Sequence, residues 1–558
     1  MNEQFTDENY WPKGVKKEIE IPEITLSDHF FSLVQKNKNR TYVSILGINY
    51  TYNDINLLAS KLASAFIKMG LKPGDRVGIL MPNLPQFVIA FHGILKAGGI
   101  VVPISPLFGS KDLKFVLNDS GISILICLDI LYPLLEEKCP DCIENLSIIS
   151  TSIGDLLSKP KRFLATLLRK LPKGPRLDHT ENFFEVISKS EPIEMNYSGN
   201  PEDIAVIGYT GGTTGIPKGA MLTHKNLVSN MLQAREWAIA YHPEGEHKRF
   251  LAAVPFFHII GLNTVMLATA QFDSSLYCIP DPRNFKMILK TIHKEKINYF
   301  HGVPTLFRAL LNHSDIDKYD LSSLDIVFSG SAPLPTSLAK AFEAKAPKMI
   351  MVEAYGMTEL SPMVAANPLE RESRKFGSIG LPIVSTKLAI YDLEKDDPLA
   401  KGEIGEIVVK GPQVMKGYYN KADETKKAFT KDGWLRTGDI GQIDENGYCW
   451  LVSRKKDMII VSGYKVFPAE VEEFILNEFE EIIECSLIGI ADDYSGEAVK
   501  LFAIVKEGTN LSIADIKNRL EGKIAKYKIP KHLELRTELP KTGIGKVDRK
   551  ILRQEILA

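Results

Sequence analysis

The chain has 558 residues, several times the usual single-domain length, so two or more cores sharing a cleft are expected and a small binding module is excluded. At 44% hydrophobic, 25% charged and 9% aromatic residues, its composition is that of a chain folded throughout. Lys plus Arg number 68 against 69 for Asp plus Glu, a net charge of −1 that argues against nucleic acid as a partner held by counterion release.

In chain order, residues 1–10 are polar and acidic where a secretory signal needs a basic and then an apolar run, so a cytoplasmic location is expected. Residues 75–81 read as a strand, 87–96 as a helix, 99–103 as a strand, 110–118 as a helix and 122–128 as a strand. The most apolar stretch, 87–104, is interrupted by His92, Lys96, paired glycines and Pro103. It therefore reads as a buried helix running into a buried strand, not as a membrane span. Alternation of this kind predicts a parallel sheet with crossover helices. Six cysteines in so long a chain make no disulfide framework, which fits a reducing compartment. Cys139-Pro-Asp-Cys142 has redox or zinc spacing, but with no second pair and no evident βαβ frame it reads as two thiols in a turn.

Residues 158–176 carry seven Lys or Arg and no carboxylate. At helical spacing Phe163, Leu164, Leu167, Leu168 and Leu171 share one face, while Arg162, Ala165, Thr166 and Arg169 take the other. Such a helix either packs on its own protein or makes a peripheral contact, through residues 159–176, with the inner membrane surface. Without these seven charges the balance is 61 against 69, so the chain is mildly acidic with one concentrated basic patch.

Strand-like runs recur at 204–209, 251–254 and 326–329, the last followed by a helix over 335–346. Beyond about residue 385, short β runs such as 402–410 and 447–452 are separated by Gly and Asp turns, the texture of a β-rich subdomain. From about residue 456 a compact α/β pattern predicts a helix over 469–478, strands over 484–490 and 500–505, and a helix over 513–525. That length suffices for an independent domain.

The strongest local signal is Tyr209-Thr-Gly-Gly-Thr-Thr-Gly-Ile-Pro-Lys-Gly219, placed after an apolar strand and before a helix opening near His224. Glycines let backbone N–H groups turn toward an anion, Thr hydroxyls add donors and Lys218 adds charge, so the loop suits a polyphosphate. It is not a Walker loop, because Pro217 precedes the lysine and Gly219 follows it. Six further motifs follow in order: Pro255-Phe-Phe-His-Ile-Ile-Gly261, Gly330-Ser-Ala-Pro-Leu334, Glu353-Ala-Tyr-Gly-Met-Thr-Glu359, Gly433-Trp-Leu-Arg-Thr-Gly-Asp439, Ser453-Arg-Lys-Lys-Asp457 and Pro540-Lys-Thr-Gly-Ile-Gly-Lys-Val-Asp548. With these motifs the sequence resembles, over nearly its whole length, the adenylate-forming superfamily of acyl-CoA synthetases, luciferases and nonribosomal adenylation domains.

The resemblance implies an α/β fold. A large N-terminal domain of βα subdomains plus a distorted β-barrel would span 1–453, with a hinge at 454–457 and a small mobile α+β C-terminal domain at 458–558. It implies ATP and AMP contacts at Thr210, Gly211, Gly212, Thr213, Thr214, Gly215, Lys218, Ser331, Ala332, Pro333, Glu353, Ala354, Tyr355, Gly356, Met357, Thr358, Asp439 and Arg454. Tyr355 offers a flat face for adenine, and backbone groups around Ser331, Ala332 and Ala354 can read its edge. Asp439 can accept from ribose hydroxyls and Arg454 can donate to the same sugar. Glu359, with Thr210 as a further candidate, would hold Mg²⁺, a hard cation that takes few carboxylates together with phosphate oxygens.

His258 matches a position beside the reacting carboxylate. An amino-acid-loading relative often places an Asp near here, and its absence favours a carboxylate without an α-amine. Lys546 is the cation that would reach both the carboxylate and the α-phosphate as charge develops in the transition state. Lys456 matches the hinge residue about which the C-terminal domain turns, and Ser462, Gly463 and Tyr464 would then line the path of CoA. The resemblance thus implies an ATP-dependent ligase joining a fatty acid, long or medium chain, to CoA through an acyl-adenylate. A fatty acyl-AMP ligase or an aryl or short-chain acyl-CoA ligase is the alternative, and oligomeric state stays open. The chain ends soon after Lys546, leaving no room for a carrier domain, and the continuous Arg454 to Tyr464 lacks the insertion expected of acyl-AMP ligases.

Overall fold

A computed structural model describes residues 10–156, 174, 177, 180–193, 197–210, 217–492, 494–541 and 547–557. Gly211, Gly212, Thr213, Thr214, Gly215, Lys546 and, apart from Gly174, the basic segment 159–176 lie outside the described residues.

The chain divides into two compact units, one formed by Glu8–Lys387 with Val409–Phe429 and the other by Leu388–Val408 with Thr430–Ala558. In the first unit, the strands Arg76–Leu80, Ile100–Pro103, Ile124–Leu128 and Ser147–Thr151 run parallel, with helices in the crossovers. The helix Pro85–Lys96 is buried along every residue, as expected of an element covered by protein on all sides. Among the described residues no helix is long and apolar enough to cross a membrane. The sheet continues through Ile204–Thr210, Lys218–Thr223 and the short edge strand Gly417–Tyr418.

A second, nine-stranded sheet carries Arg249–Ala252, Tyr299–Gly302, Ile326–Ser329 and Ile350–Gly356 as parallel neighbours. Amphipathic helices such as Phe285–Glu295 and Thr336–Glu343 cover it with Ile288, Leu289, Ile292, Leu338 and Phe342. In the second unit, Lys387–Tyr391, Gly405–Lys410, Leu435–Ile443 and Cys449–Arg454 form a four-stranded sheet whose path is open among the described residues. A further sheet, built on the long hairpin Ile482–Asp492 and Gly496–Val505, packs against the helix Pro468–Glu478 through Val471, Ile475 and Phe479.

Four details depart from the sequence reading. The glycine-rich loop does not lead straight to the helix His224–Trp237. The strand Lys218–Thr223 intervenes and pairs antiparallel with Ile204–Thr210. The helix expected over 513–525 ends at Leu520, because Glu521 is extended and Gly522 has φ +77°. Cys139 and Cys142 do have a βαβ frame, lying in the crossover between the parallel strands Ile124–Leu128 and Ser147–Thr151. Nor are they two free thiols: a break between two short helices brings their Cα atoms to 5.4 Å and the sulfurs are bonded, while Cys127, Cys278, Cys449 and Cys485 are free and buried.

Candidate active site

The strands on either side of the glycine-rich loop pair up to Thr210 and Lys218. Thr210 pairs with Lys218, and the Thr210 hydroxyl lies 3.5 Å from the Lys218 carbonyl. The loop residues between them therefore start and end at one point, at the carboxyl end of a strand, where ligands of open α/β sheets bind. At the loop end of the strand, Tyr209 donates its hydroxyl to Asp119 at 2.7 Å.

The second sheet delivers the other motifs to the same region. Gly330 to Leu334 follows the strand Ile326–Ser329, and Glu353 to Gly356 ends the neighbouring strand. Ser331 sits at φ +67°, an uncommon backbone state for a residue with a side chain and one concentrated at functional loops. Ala332 and Pro333 follow it, half-buried and exposed respectively. Ala354, Tyr355 and Gly356 pair with the antiparallel strand Met363–Ala366. A Cβ on Gly356 would lie 1.9 Å from the Pro362 carbonyl oxygen, so only glycine fits there. Met357 is extended and leads into the single turn Thr358–Leu360, which presents Thr358 and Glu359.

Glu353, at the end of the strand Ile350–Gly356, is buried. Its buried carboxyl accepts the Leu334 backbone N–H at 3.2 Å, and burial raises its pKa from the ordinary 4.5 to about 8. It ties the end of the 330–334 loop to the strand.

The two sheets meet at the site. Thr358 approaches Gly208 so closely that a Cβ there would lie 2.8 Å from the Thr358 methyl. Gly208, Tyr209, Phe257, His258 and Thr358 help wall a cavity of about 20 Å³. His258 is half-buried and its Nδ1 accepts from the Ile260 N–H at 3.4 Å. Directly after it Ile260–Leu267 forms a π-helix, a wide turn often found at functional positions. Asn263 of that helix donates to the Ser361 carbonyl, holding the helix to the turn that carries Glu359.

The structure adds a residue that the sequence reading missed. Glu359 is buried and accepts the Tyr418 hydroxyl at 2.8 Å, while its carbonyl accepts from Met415 N–H at 2.8 Å. Beside it Lys218 points its ammonium at Glu424, 2.5 Å away, and over the Tyr418 ring. Nothing in Lys416-Gly-Tyr-Tyr-Asn-Lys-Ala-Asp-Glu-Thr425 hints at this; the contact exists because Gly417 and Tyr418 pair with Met221 and Ala220. Among the described residues no three His, Cys, Asp or Glu side chains cluster as a metal cage. A single buried carboxylate fits Mg²⁺ that arrives with a phosphate-bearing substrate, not a metal held by protein alone.

In the second unit Asp439 and Arg454 sit opposite each other on paired strands, with Arg454 Nε 3.0 Å from Asp439 Oδ1. Lys456 follows in the single turn Lys455–Asp457, where Asp457 is gripped by Arg549 at 3.4 Å and Arg553 at 3.0 Å. Ser462 and Gly463, at φ +50° and +82°, form the two-residue turn of the hairpin Ile459–Val461 and Tyr464–Val466. Tyr464 is exposed and stacks on Tyr527 at 4.7 Å.

The pattern of the family described as AMP-binding enzyme matches residues 30–419, and that of the AMP-binding enzyme C-terminal domain matches residues 470–546. The chain belongs to the AMP-binding enzyme family. A long-chain-fatty-acid–CoA ligase of Bacillus subtilis (strain 168) is 40% identical over 553 residues, covering 98% of this chain and 97% of the relative. Its counterpart in Escherichia coli O157:H7 is 36% identical over 558 residues, with the same coverage of 98% and 97%. Among solved structures, ATP-bound MatB from Rhodopseudomonas palustris superposes with a TM-score of 0.83 at 26% identity, covering 96% of this chain and 99% of that one. The anthranilate CoA ligase AuaEII in complex with anthranoyl-AMP gives 0.81 at 26% identity, covering 96% and 98%. This AMP-binding enzyme therefore shares its fold with ATP-bound MatB and with the anthranilate CoA ligase AuaEII.

Proposed function

We propose that this AMP-binding enzyme ligates a fatty acid to CoA, consuming ATP and releasing AMP and diphosphate. The observation that carries the reading is the convergence of the 209–219 hairpin, His258, Thr358 and Glu359 at one site in the first unit. Relatives over nearly the full length, named long-chain-fatty-acid–CoA ligases, favour a long or medium acyl chain.

In the first half reaction a carboxylate oxygen attacks the α-phosphorus of ATP, forming the acyl-adenylate and releasing diphosphate. Lys546 is the cation for the charge shared between carboxylate and phosphate, since a preorganised donor acts only where that charge develops. Lys218 and the glycine-rich loop take the polyphosphate. Glu359, with Thr210 as a further candidate, would hold Mg²⁺, which would neutralise phosphate charge. Tyr355 lies against adenine, the 331–334 backbone meets its edge, and Asp439 and Arg454 bind the ribose. His258 borders the carboxylate. In the second half reaction the CoA thiol displaces AMP after the domain 458–558 has turned about Lys456, with Ser462, Gly463 and Tyr464 along the pantetheine path. Peripheral membrane contact through residues 159–176 belongs to the same reading.

The test is CoA thioester formation across carboxylates from acetate to oleate, with benzoate and coumarate included. Thioester rates rising with chain length support the assignment, because each added CH₂ in an apolar pocket contributes about 0.8 kcal/mol. Activity confined to acetate or to the aryl acids would overturn it, as would acyl-adenylate formation with no CoA thioester.

A further inference from the structure

Glu424 lies on the short helix Ala422–Ala428, far in sequence from the glycine-rich loop, yet its Oε2 is 2.5 Å from the Lys218 ammonium. The contact is built, not incidental. The segment before the helix adds an edge strand to the hairpin, Gly417 against Met221 and Tyr418 against Ala220, and the Tyr419 N–H donates to the Gly219 carbonyl at 2.8 Å. Thr425 then locks the turn, accepting from Tyr418 N–H at 2.8 Å and donating to the Lys421 carbonyl at 2.9 Å. The Lys218 side chain is largely covered, at 17% exposure, with its ammonium 5.3 Å from the centre of the Tyr418 ring. Lys218 and Lys427 together hold the Glu424 carboxyl below its ordinary range.

A lysine poised for a polyphosphate thus already has an anion. ATP must draw the ammonium away from Glu424, and the carboxylate must regain it when diphosphate leaves. We infer that Glu424 is a resident placeholder for phosphate: it neutralises Lys218 in the empty site, lowers the affinity for ATP and diphosphate alike, and so eases diphosphate release. Glu424 is a positioning residue acting through Lys218. The inference rests on the reading of Lys218 as a polyphosphate contact.

The experiment is carboxylate-dependent exchange of diphosphate into ATP, measured for the full chain and for Glu424→Gln, Lys218→Ala and the double variant. Removing a competing ion pair of this exposure is worth roughly three- to fivefold in affinity. Glu424→Gln is expected to lower the KM for ATP and the inhibition constant of diphosphate by that factor each, and to change neither in the Lys218→Ala background. A merely structural role for Glu424 would move both parameters in either background. The inference is overturned if Glu424→Gln raises the KM for ATP or leaves it unchanged, or if its effect persists without Lys218. If Lys218→Ala alone leaves both constants unchanged, the polyphosphate contact itself fails and the placeholder falls with it. If Lys218→Ala weakens ATP while Glu424→Gln does nothing, only the placeholder fails.

Discussion

Glu353→Gln gives a direct test of how the 330–334 loop is held. Burial raises the Glu353 pKa from 4.5 to about 8, and its carboxyl accepts the Leu334 N–H at 3.2 Å. The folded chain therefore keeps this proton across neutral pH, while the unfolded chain loses it above its ordinary value. Because the folded pKa is the higher one, stability from this group is fully present below pH 4.5 and is lost as pH rises toward about 8. The slope is about 1.4 kcal/mol per pH unit, or on the order of 3 kcal/mol between about pH 5.5 and 8. Gln has nearly the same shape and its carbonyl oxygen can still accept from Leu334, but it does not titrate. Thermal melts of the two proteins at acid, neutral and mildly alkaline pH isolate the effect, since every other group cancels in the difference. The variant should match the native chain or fall slightly below it near pH 5.5, then exceed it by several degrees above pH 8. In parallel, the KM for ATP of the native chain should rise above pH 8 while that of the variant stays flat. A difference in melting temperature that does not change with pH would refute the assignment of a buried, protonated Glu353.

Three further outcomes are expected. Lys546→Ala should cut adenylation by about 10²- to 10³-fold yet largely spare thioester formation from supplied acyl-adenylate, and equal losses in both half reactions would refute the division of labour. Lys456→Pro should show the opposite split, because proline fixes φ at the pivot; adenylation lost along with thioester formation would count against the hinge. Tyr418→Phe removes a donor from the buried Glu359 carboxylate, a hydrogen bond worth about 1.5 to 3 kcal/mol that a bound cation replaces, so the Mg²⁺ concentration for half-maximal adenylation should fall about tenfold or more. An unchanged Mg²⁺ dependence would separate Glu359 from the metal.

Residues whose own chemistry is local were legible in the sequence. The run of apolar strands and helices predicted the parallel sheets, because a strand covered on both faces reads as a continuous apolar run. The glycine-rich loop announced itself because backbone that must turn toward an anion needs glycine wherever it turns. Elements defined by a partner were not legible. Lys218–Thr223 is a strand only because Ile204–Thr210 lies beside it, and its first two residues, Lys218 and Gly219, sit inside the loop motif. The helix over 513–520 was read too long, since the periodicity of Ile513, Ile516 and Leu520 does not say where the backbone turns; Gly522 does. The Cys139 and Cys142 pair looked unframed because the helices between the flanking strands are too short to show a period.

The same distinction orders the site. Glu359, His258 and Asp439 lie in motifs that bear polar groups where the sheet edge needs them. Tyr418 and Glu424 act by touching Glu359 and Lys218, and those contacts are set by a strand pairing formed about two hundred residues apart in the chain. Glu353 adds a contact its motif does not announce: its buried carboxyl accepts the Leu334 N–H. A residue that works through another carries no chemical signature of its own. For this reason the contacts of Tyr418 with Glu359 and of Glu424 with Lys218 became visible only in the folded chain.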